Sequence, residues 1–417
     1  MRAVYMLAFG GVVPMLWACG GSPAVVADAG LTDDAGLAGD AGDDADLAVY
    51  PAIKPDMPRV ITGGGPVLKK GSVTPVYFPG FDYVAEMTDF SKKIGATKYW
   101  AALAEYGVGQ LTMGTPVLLT QEQIVPADIG DITDEQIQAW LTSRFDGTHP
   151  EFGATPDPDS IYTLFYPPDT NISLGTDQSC QSFGGYHSDV TIQGQLISYA
   201  VIPECNSFGS LKNLDSVTTT TSHELSEAAT DPYTVDKTAY GQVDGDHLAW
   251  QFFLGGGEVG DLCAQFSASY YRPDDLLYVV QRNWSNAQAK AGHDPCQPAQ
   301  EGQVYFNASA TFPDKINTRG VFTKGIKVPV GQSKTLPLSL YSDGPMAPWT
   351  VTAQALARNG GSPVTLTLDK NSGQNGDIIN LTITSKTAIT STTSAVTIII
   401  TSSHGSRRNT WVGLVGN

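Results

Sequence analysis

Long apolar runs are missing from the body of this 417-residue chain. No internal stretch reaches the ~20 apolar residues that a membrane-spanning helix needs, which excludes an integral membrane body. Charge is sparse, at 16% of residues, and mostly of one sign: 24 Lys and Arg stand against 42 Asp and Glu, a formal net charge of −18. Such a chain repels phosphate backbones, so nucleic acid is not an expected partner. Basic residues are absent between Gly20 and Tyr50, where seven aspartates fall: Asp28, Asp33, Asp34, Asp40, Asp43, Asp44 and Asp46. There is no G-x-S-x-G nucleophile elbow and no phosphate-binding P-loop, so nothing marks a serine triad or a nucleotide site. Cysteine is limited to five residues. None shows the C-x-x-C spacing of a zinc ribbon. The acidic pairs at Asp244/Asp246 and Asp274/Asp275 lack the ligand cadence of a calcium loop and read as solvated turns.

The N-terminus carries an address. Arg2 is followed by an apolar stretch through Trp17, and then by Ala18-Cys19-Gly20. This resembles a bacterial lipoprotein signal peptide, which implies export and lipid attachment at Cys19; an ordinary secretory signal cut near Ala18 is the alternative. Residues 1–19 therefore belong to targeting. Residues 20–56 are rich in Ala, Gly, Asp and Pro, bury too little apolar surface to offset their chain entropy, and are expected to form a disordered linker. The other four cysteines, Cys180, Cys205, Cys263 and Cys296, make an even set in an exported chain and imply disulfides. Pairing of sequence neighbours favours Cys180–Cys205 and Cys263–Cys296.

Between residues 57 and 298 strand and helix patterns alternate, which predicts an α/β domain. VTPVYFPG (73–80), IYTLFYPP (161–168) and LISYAVIP (196–203) read as buried strands that end at proline. Val84 to Tyr106 reads as one or two helices. Thr133 to Phe145 opens with an N-cap and places Ile137, Trp140 and Leu141 on one face. From about residue 299 the character changes. VFTKGIKVPVG, KTLPLSLYS, WTVTAQAL, VTLTLD, IINLTITS and AVTIIITSS are short β-prone runs separated by turns such as Gly360-Gly361 and Asn375-Gly376, which predicts an all-β, immunoglobulin-like sandwich over 299–417.

The chemistry gathers in TTTTSHELSEAATDP (218–232). The TTTTS run supplies helix-start residues, and Asp231-Pro232 ends the helix. His223 and Glu227, four apart, share one helical face and could grip a single ion, with Glu224 between them as the base that activates water. An isolated His-Glu-x-x-Glu also arises on solvated helix faces, so further ligands are required. GGGEVGDLC (255–263) offers Glu258 and Asp261, the second also eligible as a hydrogen-bond partner of His223, and its three glycines would let backbone approach the helix. Tyr186, in GGYHSD, is a candidate donor to an oxyanion. His187 beside it reads more readily as structural than as a ligand, and His247 as a loop residue. His149, His293 and His404 have no acidic or helical partner at useful spacing.

HELSEAATDP followed by EVGDLC resembles a group of bacterial and fungal secreted zinc peptidases, distantly similar to the phosphate-induced, exordium-like proteins of plants. The likeness spans roughly residues 70–298 and includes KYWAALAEYGVG (98–109), SCQSFGGYHSD (179–189), YAVIPEC (199–205) and QRNWSNAQAKAG (281–292). It implies a zincin-like fold, zinc ligands at His223 and Glu227, Glu224 as base, and the downstream Glu-x-x-Asp-x-Cys at Glu258, Asp261 and Cys263. One imidazole with carboxylates makes an oxygen-rich site, so other divalent cations compete with zinc. The expected function is a cell-surface or secreted zinc-dependent peptidase acting on peptide or protein substrates. The alternative is a non-catalytic surface, adhesion or carbohydrate-binding lipoprotein whose metal site is structural or lost.

Overall fold

The computed structural model describes residues 49–264, 266, 268–318, 320–356, 362–389 and 395–416. The signal segment, Cys19, the linker up to residue 48 and the Gly360-Gly361 turn lie outside the described residues. The structure is rich in β-sheet and has two disulfides, Cys180–Cys205 and Cys263–Cys296, the pairing expected from sequence neighbours.

The N-terminal part is built on a six-stranded mixed sheet. Its elements are β1 (Ser72–Tyr77), α1 (Val84–Ile94), β2 (Thr112–Met113), β3 (Val117–Leu118), α2 (Asp134–Ser143), β4 (Ser160–Tyr166), β5 (Tyr186–Ile192), β6 (Gln195–Pro203) and α3 (Asn213–Thr230). The strand order is β2-β1-β4-β6-β5, with β3 also paired to β1. All neighbours run parallel except β5, which lies antiparallel along β6 at the edge. Every residue of β4 is buried, as expected of a strand covered on both faces. One face packs Val73, Tyr77, Phe165 and Ile202 against Phe90 and Ile94 of α1 and Leu225 and Ala228 of α3. The other packs Phe78, Leu164 and Tyr166 against Ile137, Trp140 and Leu141 of α2. Thr133 caps α2 in a reciprocal capping box with Gln136.

Helix α3 departs from its expected limits. It begins at Asn213, so the Thr run lies inside it rather than ahead of it. Burial explains this: 13 of its 18 residues are buried, and the hydroxyls turn back onto the helix's own carbonyls, as Thr221 Oγ1 does to Val217 O (2.7 Å) and Ser226 Oγ to Ser222 O (2.7 Å). Small side chains, several of them back-bonded, allow a polar-looking helix to run through the core. Tyr99 fixes its rotation, donating from its hydroxyl to Ser222 O at 2.9 Å.

Four short elements bear on the site: α4 (Leu248–Leu254), α5 (Asp261–Ala264) and the paired strands β7 (Tyr270–Tyr271) and β8 (Val280–Gln281). The C-terminal part holds two sheets. One has four strands, Phe306–Ala310, Ser333–Ser342, Ile378–Ser385 and Val364–Leu368 in that spatial order; the other has six, ordered Asp314–Thr318, Val321–Lys327, Arg407–Gly416, Val396–His404, Trp349–Leu356 and Ser372–Gly373. Leu336, Leu338 and Leu340 alternate with exposed or half-buried neighbours, and Trp349 and Val351 do the same, so each sheet turns one apolar face to a shared interior.

The two parts share one core. Trp250 of α4 meets Trp411 of the last strand edge to face at 5.7 Å. Polar groups seal the seam: His247 Nδ1 lies 2.9 Å from Asp244 Oδ1 and its Nε2 2.9 Å from Asp56 O, while Lys324 pairs with Asp56 at 2.8 Å. His247 is thus a seam residue. Residues 49–56, expected as the end of the linker, are seated in the structure: Asn375 accepts from Ala52 N at 3.0 Å and donates to Val49 O at 2.9 Å, and Ile53 packs on the core.

Candidate metal centre

Three segments converge on the C-terminal half of α3. The helix contributes His223, Glu224 and Glu227; the edge strand β5 contributes His187; the loop entering α5 contributes Glu258, and the first residue of α5 is Asp261. His223 Nε2 lies 3.0 Å from Glu227 Oε2 and 3.9 Å from Asp261 Oδ1. His187 Nε2 lies 3.7 Å from Glu258 Oε1, and its Nδ1 lies 3.4 Å from Glu224 Oε2 and 3.8 Å from Glu227 Oε2. Ligand atoms of His187, Glu227 and Glu258 fall within 4.8 Å of one another, as do those of His223, Glu227 and Asp261. Glu227 and His187 are almost fully enclosed, whereas the side chains of His223, Glu258 and Asp261 are about one-fifth exposed and form the open side.

Local structure explains the approach of each segment. Gly260 lies so close to α3 that an added Cβ would stand 2.6 Å from His223 Nδ1 and 2.8 Å from Glu227 Oε1. This glycine, rather than the run Gly255–Gly257, brings the loop against the helix. With backbone this near, Gly260 N and Asp261 N each donate to Glu227 Oε1 at 3.1 Å. Gly185 does the same for β5, its added Cβ meeting Thr220 Cγ2 at 2.5 Å. The Cys263–Cys296 disulfide ties α5 two residues beyond Asp261, and Cys180–Cys205 ties the approach to β5 to the end of β6. Gln281 of β8 orients the first imidazole: its Nε2 lies 2.8 Å from His223 Nδ1 and donates to Gly260 O at 2.8 Å. Tyr270 faces Gln281 across the β7–β8 pair, and its partly exposed phenol is within reach of the His223 charge.

The electrostatics are those of crowded carboxylates. Burial pulls the His187 imidazole down, but Glu258, Glu224 and Glu227 outweigh it and push it up to about 10. His223 is likewise held well above the ordinary imidazole range, burial being overcome chiefly by Glu227. Burial and the Glu227 charge raise Asp261 to about 7 and lift Glu258 well above the carboxylate range. Glu227 stays ionised: burial opposes this, but the two imidazoles and the Asp261 N–H hold its carboxyl below the usual range. Protons therefore balance this cluster when no cation does.

The donor set suits a divalent cation. Imidazole and carboxylate serve zinc, and a surplus of oxygens also admits manganese. The sharper test is the pair of buried atoms without any hydrogen-bond partner, His187 Nε2 and Glu258 Oε1, which face each other across 3.7 Å. Twelve other buried side-chain atoms among the described residues also lack a partner, but these two belong to potential ligands, and a cation between them would satisfy both.

Five of the six residues singled out from the sequence thus come together, namely His223, Glu224, Glu227, Glu258 and Asp261. Tyr186 does not. Successive residues of a strand point to opposite faces, so Tyr186 turns away from His187 into the α2 side of the sheet, where its hydroxyl donates to Asp134 Oδ1 at 2.8 Å beside Tyr199 at 2.6 Å. The alternation that removes Tyr186 delivers His187, read from sequence as structural. Gln281 and Tyr270 carried no signal, because their relation to His223 exists only through strand pairing.

No family model and no curated protein matches this sequence. Among solved structures it is similar to the titin M3 domain, at 12% identity over 22% of this chain and 85% of that one, with a TM-score of 0.16. It is similar also to titin M4 in a trigonal form, at 14% identity over 22% and 84% with a TM-score of 0.15. A chimeric titin Z1Z2 functionalised with a KLER exogenous peptide from decorin matches at 14% identity over 27% and 95%, with a TM-score of 0.16. Scores this low carry no argument; the sandwich-like sheets stand on their own strand pairing.

Proposed function

We propose that this chain is an exported zinc-dependent hydrolase that cleaves peptide bonds. The observation that carries the reading is the unpartnered buried pair His187 Nε2 and Glu258 Oε1, set beside a helix that presents His223, Glu224 and Glu227. The resemblance of HELSEAATDP and EVGDLC to secreted zinc peptidases agrees with it. The Cys19 segment would attach the protein to a membrane by a lipid, the acidic linker would hold the body clear of it, and the disulfides suit an oxidising compartment.

His223, Glu227 and Asp261, or His187, Glu227 and Glu258, would hold a cation. When bound, a divalent cation supplies Lewis acidity: it polarises the scissile carbonyl and makes water a better nucleophile at neutral pH. Glu224 takes the proton of the attacking water on a carboxylate oxygen and returns it to the leaving amine. His187 Nδ1, 3.4 Å from Glu224 Oε2, would hold that carboxylate in place. Tyr270, whose partly exposed phenol feels the His223 charge, would donate to the carbonyl oxygen in the role first expected of Tyr186.

The same His187–Glu224 contact also suits a second reading, a surface module whose metal is structural and whose Glu224 only orients an imidazole. Glu224→Gln decides between them. The hydrolase reading expects at least about a hundredfold loss of zinc-dependent cleavage of a peptide library, the scale of a general base, with zinc content retained. Equal cleavage by the variant and the parent, or none by the parent once loaded with zinc, would sink it.

A further inference from the structure

We infer that the centre holds two divalent cations bridged by Glu227. The inference rests on the metal-site reading above and goes beyond it in the number of ions and the division of ligands.

Two donor groups share one carboxylate. His223, Glu227 and Asp261 form the first; His187, Glu227 and Glu258 form the second. Donor atoms around a single zinc lie about 3–3.6 Å apart, given ligand distances near 2.0–2.2 Å. From His223 Nε2 the spacings in the first group are 3.0 and 3.9 Å, and in the second His187 Nε2 lies 3.7 Å from Glu258 Oε1, each close to the size of one coordination shell. Among the described residues no group within the same limit contains both imidazoles, so a single ion serves one imidazole or the other unless side chains move.

The groups also differ in how their free atoms are engaged. In the first, His223 Nδ1 faces Gln281, Glu227 Oε1 accepts from two backbone N–H groups, and Asp261 Oδ2 accepts from Glu258 N at 3.1 Å. In the second, His187 Nε2 and Glu258 Oε1 are buried and have no partner. The residue His187 is 9% exposed. An ion confined to the first group would leave both of these atoms desolvated and unsatisfied.

Charge counting points the same way. Glu224, Glu227, Glu258 and Asp261 bring four formal negative charges into one enclosed cluster with neutral imidazoles. With all four ionised, one divalent cation matches half of that charge and leaves the rest to protons; two match all of it. Uncompensated charge away from water is the costliest thing a fold can bury. Hydrolytic centres with two ions use such a shared site to stabilise both the attacking and the leaving groups.

The test is metal stoichiometry on the full exported chain, stripped with a chelator and titrated with zinc by calorimetry and elemental analysis. Two zinc ions per chain are expected, falling to one in His187→Ala and to one in His223→Ala, with folding checked by near-ultraviolet circular dichroism. Should the variants fail to fold, the parent loaded with manganese is decisive: the paramagnetic resonance spectrum of an exchange-coupled pair is expected. One zinc per chain together with the six-line spectrum of isolated manganese would overturn the inference while leaving the hydrolase reading intact. No binding of either metal would overturn both.

Discussion

Gly260→Ala isolates the contact that assembles the centre. The added methyl carbon would stand 2.6 Å from His223 Nδ1 and 2.8 Å from Glu227 Oε1, where ordinary contacts begin at 3.4 Å, so loop and helix must separate by 0.6–0.8 Å. That displacement stretches the bonds from Gly260 N and Asp261 N to Glu227 Oε1, both 3.1 Å, beyond hydrogen-bond length. Bonds to a charged group contribute about 1.5–3 kcal/mol each, and with partial relaxation the expected loss is about 2–4 kcal/mol. The same displacement carries Asp261 away from His223, so zinc affinity should fall at least tenfold, the equivalent of about 1.4 kcal/mol. Urea unfolding of the chelated protein measures the first quantity, and competition with a chromophoric chelator the second. Gly245→Ala is the control, because nothing lies within 4 Å of its added Cβ. If Gly260→Ala matched that control in both assays, the claim that the close approach builds the site would fail.

Acid should strip the centre of cation and steady the chelated protein. Asp261 is raised to about 7 from an ordinary value near 3.9, so the folded state keeps a proton that the unfolded chain has released; stability without cation falls as pH rises from about 4 to 7, and His187, raised to about 10, extends the fall above pH 6.5. Thermal melts at pH 5 and pH 8 should therefore show a lower midpoint at pH 8 in chelator, and a larger upward shift on adding zinc there than at pH 5; equal zinc shifts at both would contradict the cluster's charge balance. Tyr186→Phe should leave zinc content and cleavage unchanged and cost about 1–2 kcal/mol of stability, since it removes one hydroxyl from the partly buried Asp134 carboxylate; lost cleavage with unchanged stability would return Tyr186 to the active site. Replacing Cys263 and Cys296 together by Ser releases a loop of sequence separation 33 and should cost about 3–4 kcal/mol by the loop-entropy estimate, with weaker zinc binding because the tether ends two residues from Asp261; unchanged zinc affinity would mean that α5 is positioned without it.

Much of this architecture was legible because local pattern and burial agree. The strands at 72–77, 160–166 and 195–203, the capping box that opens α2 and the alternating leucines after Ser333 follow from period and cap chemistry that act within a few residues. The i, i+4 relation of His223 and Glu227 belongs to the same class. What escaped depends on register between distant segments. The start of α3 at Asn213 was hidden because a Thr and Ser run looks like a helix boundary, and only tertiary burial with back-bonded hydroxyls makes it an interior. His187 and Tyr186 are adjacent in sequence, and which of them meets the helix turns on the placement of β5 antiparallel to β6, with Ala200 opposite His187. A one-residue slip of that pairing would deliver the tyrosine and turn the imidazole to the opposite face of the sheet. The disulfide before β5 and the close approach at Gly185 therefore act as register devices: they decide which side chain the centre receives from an edge strand whose local sequence leaves the choice open.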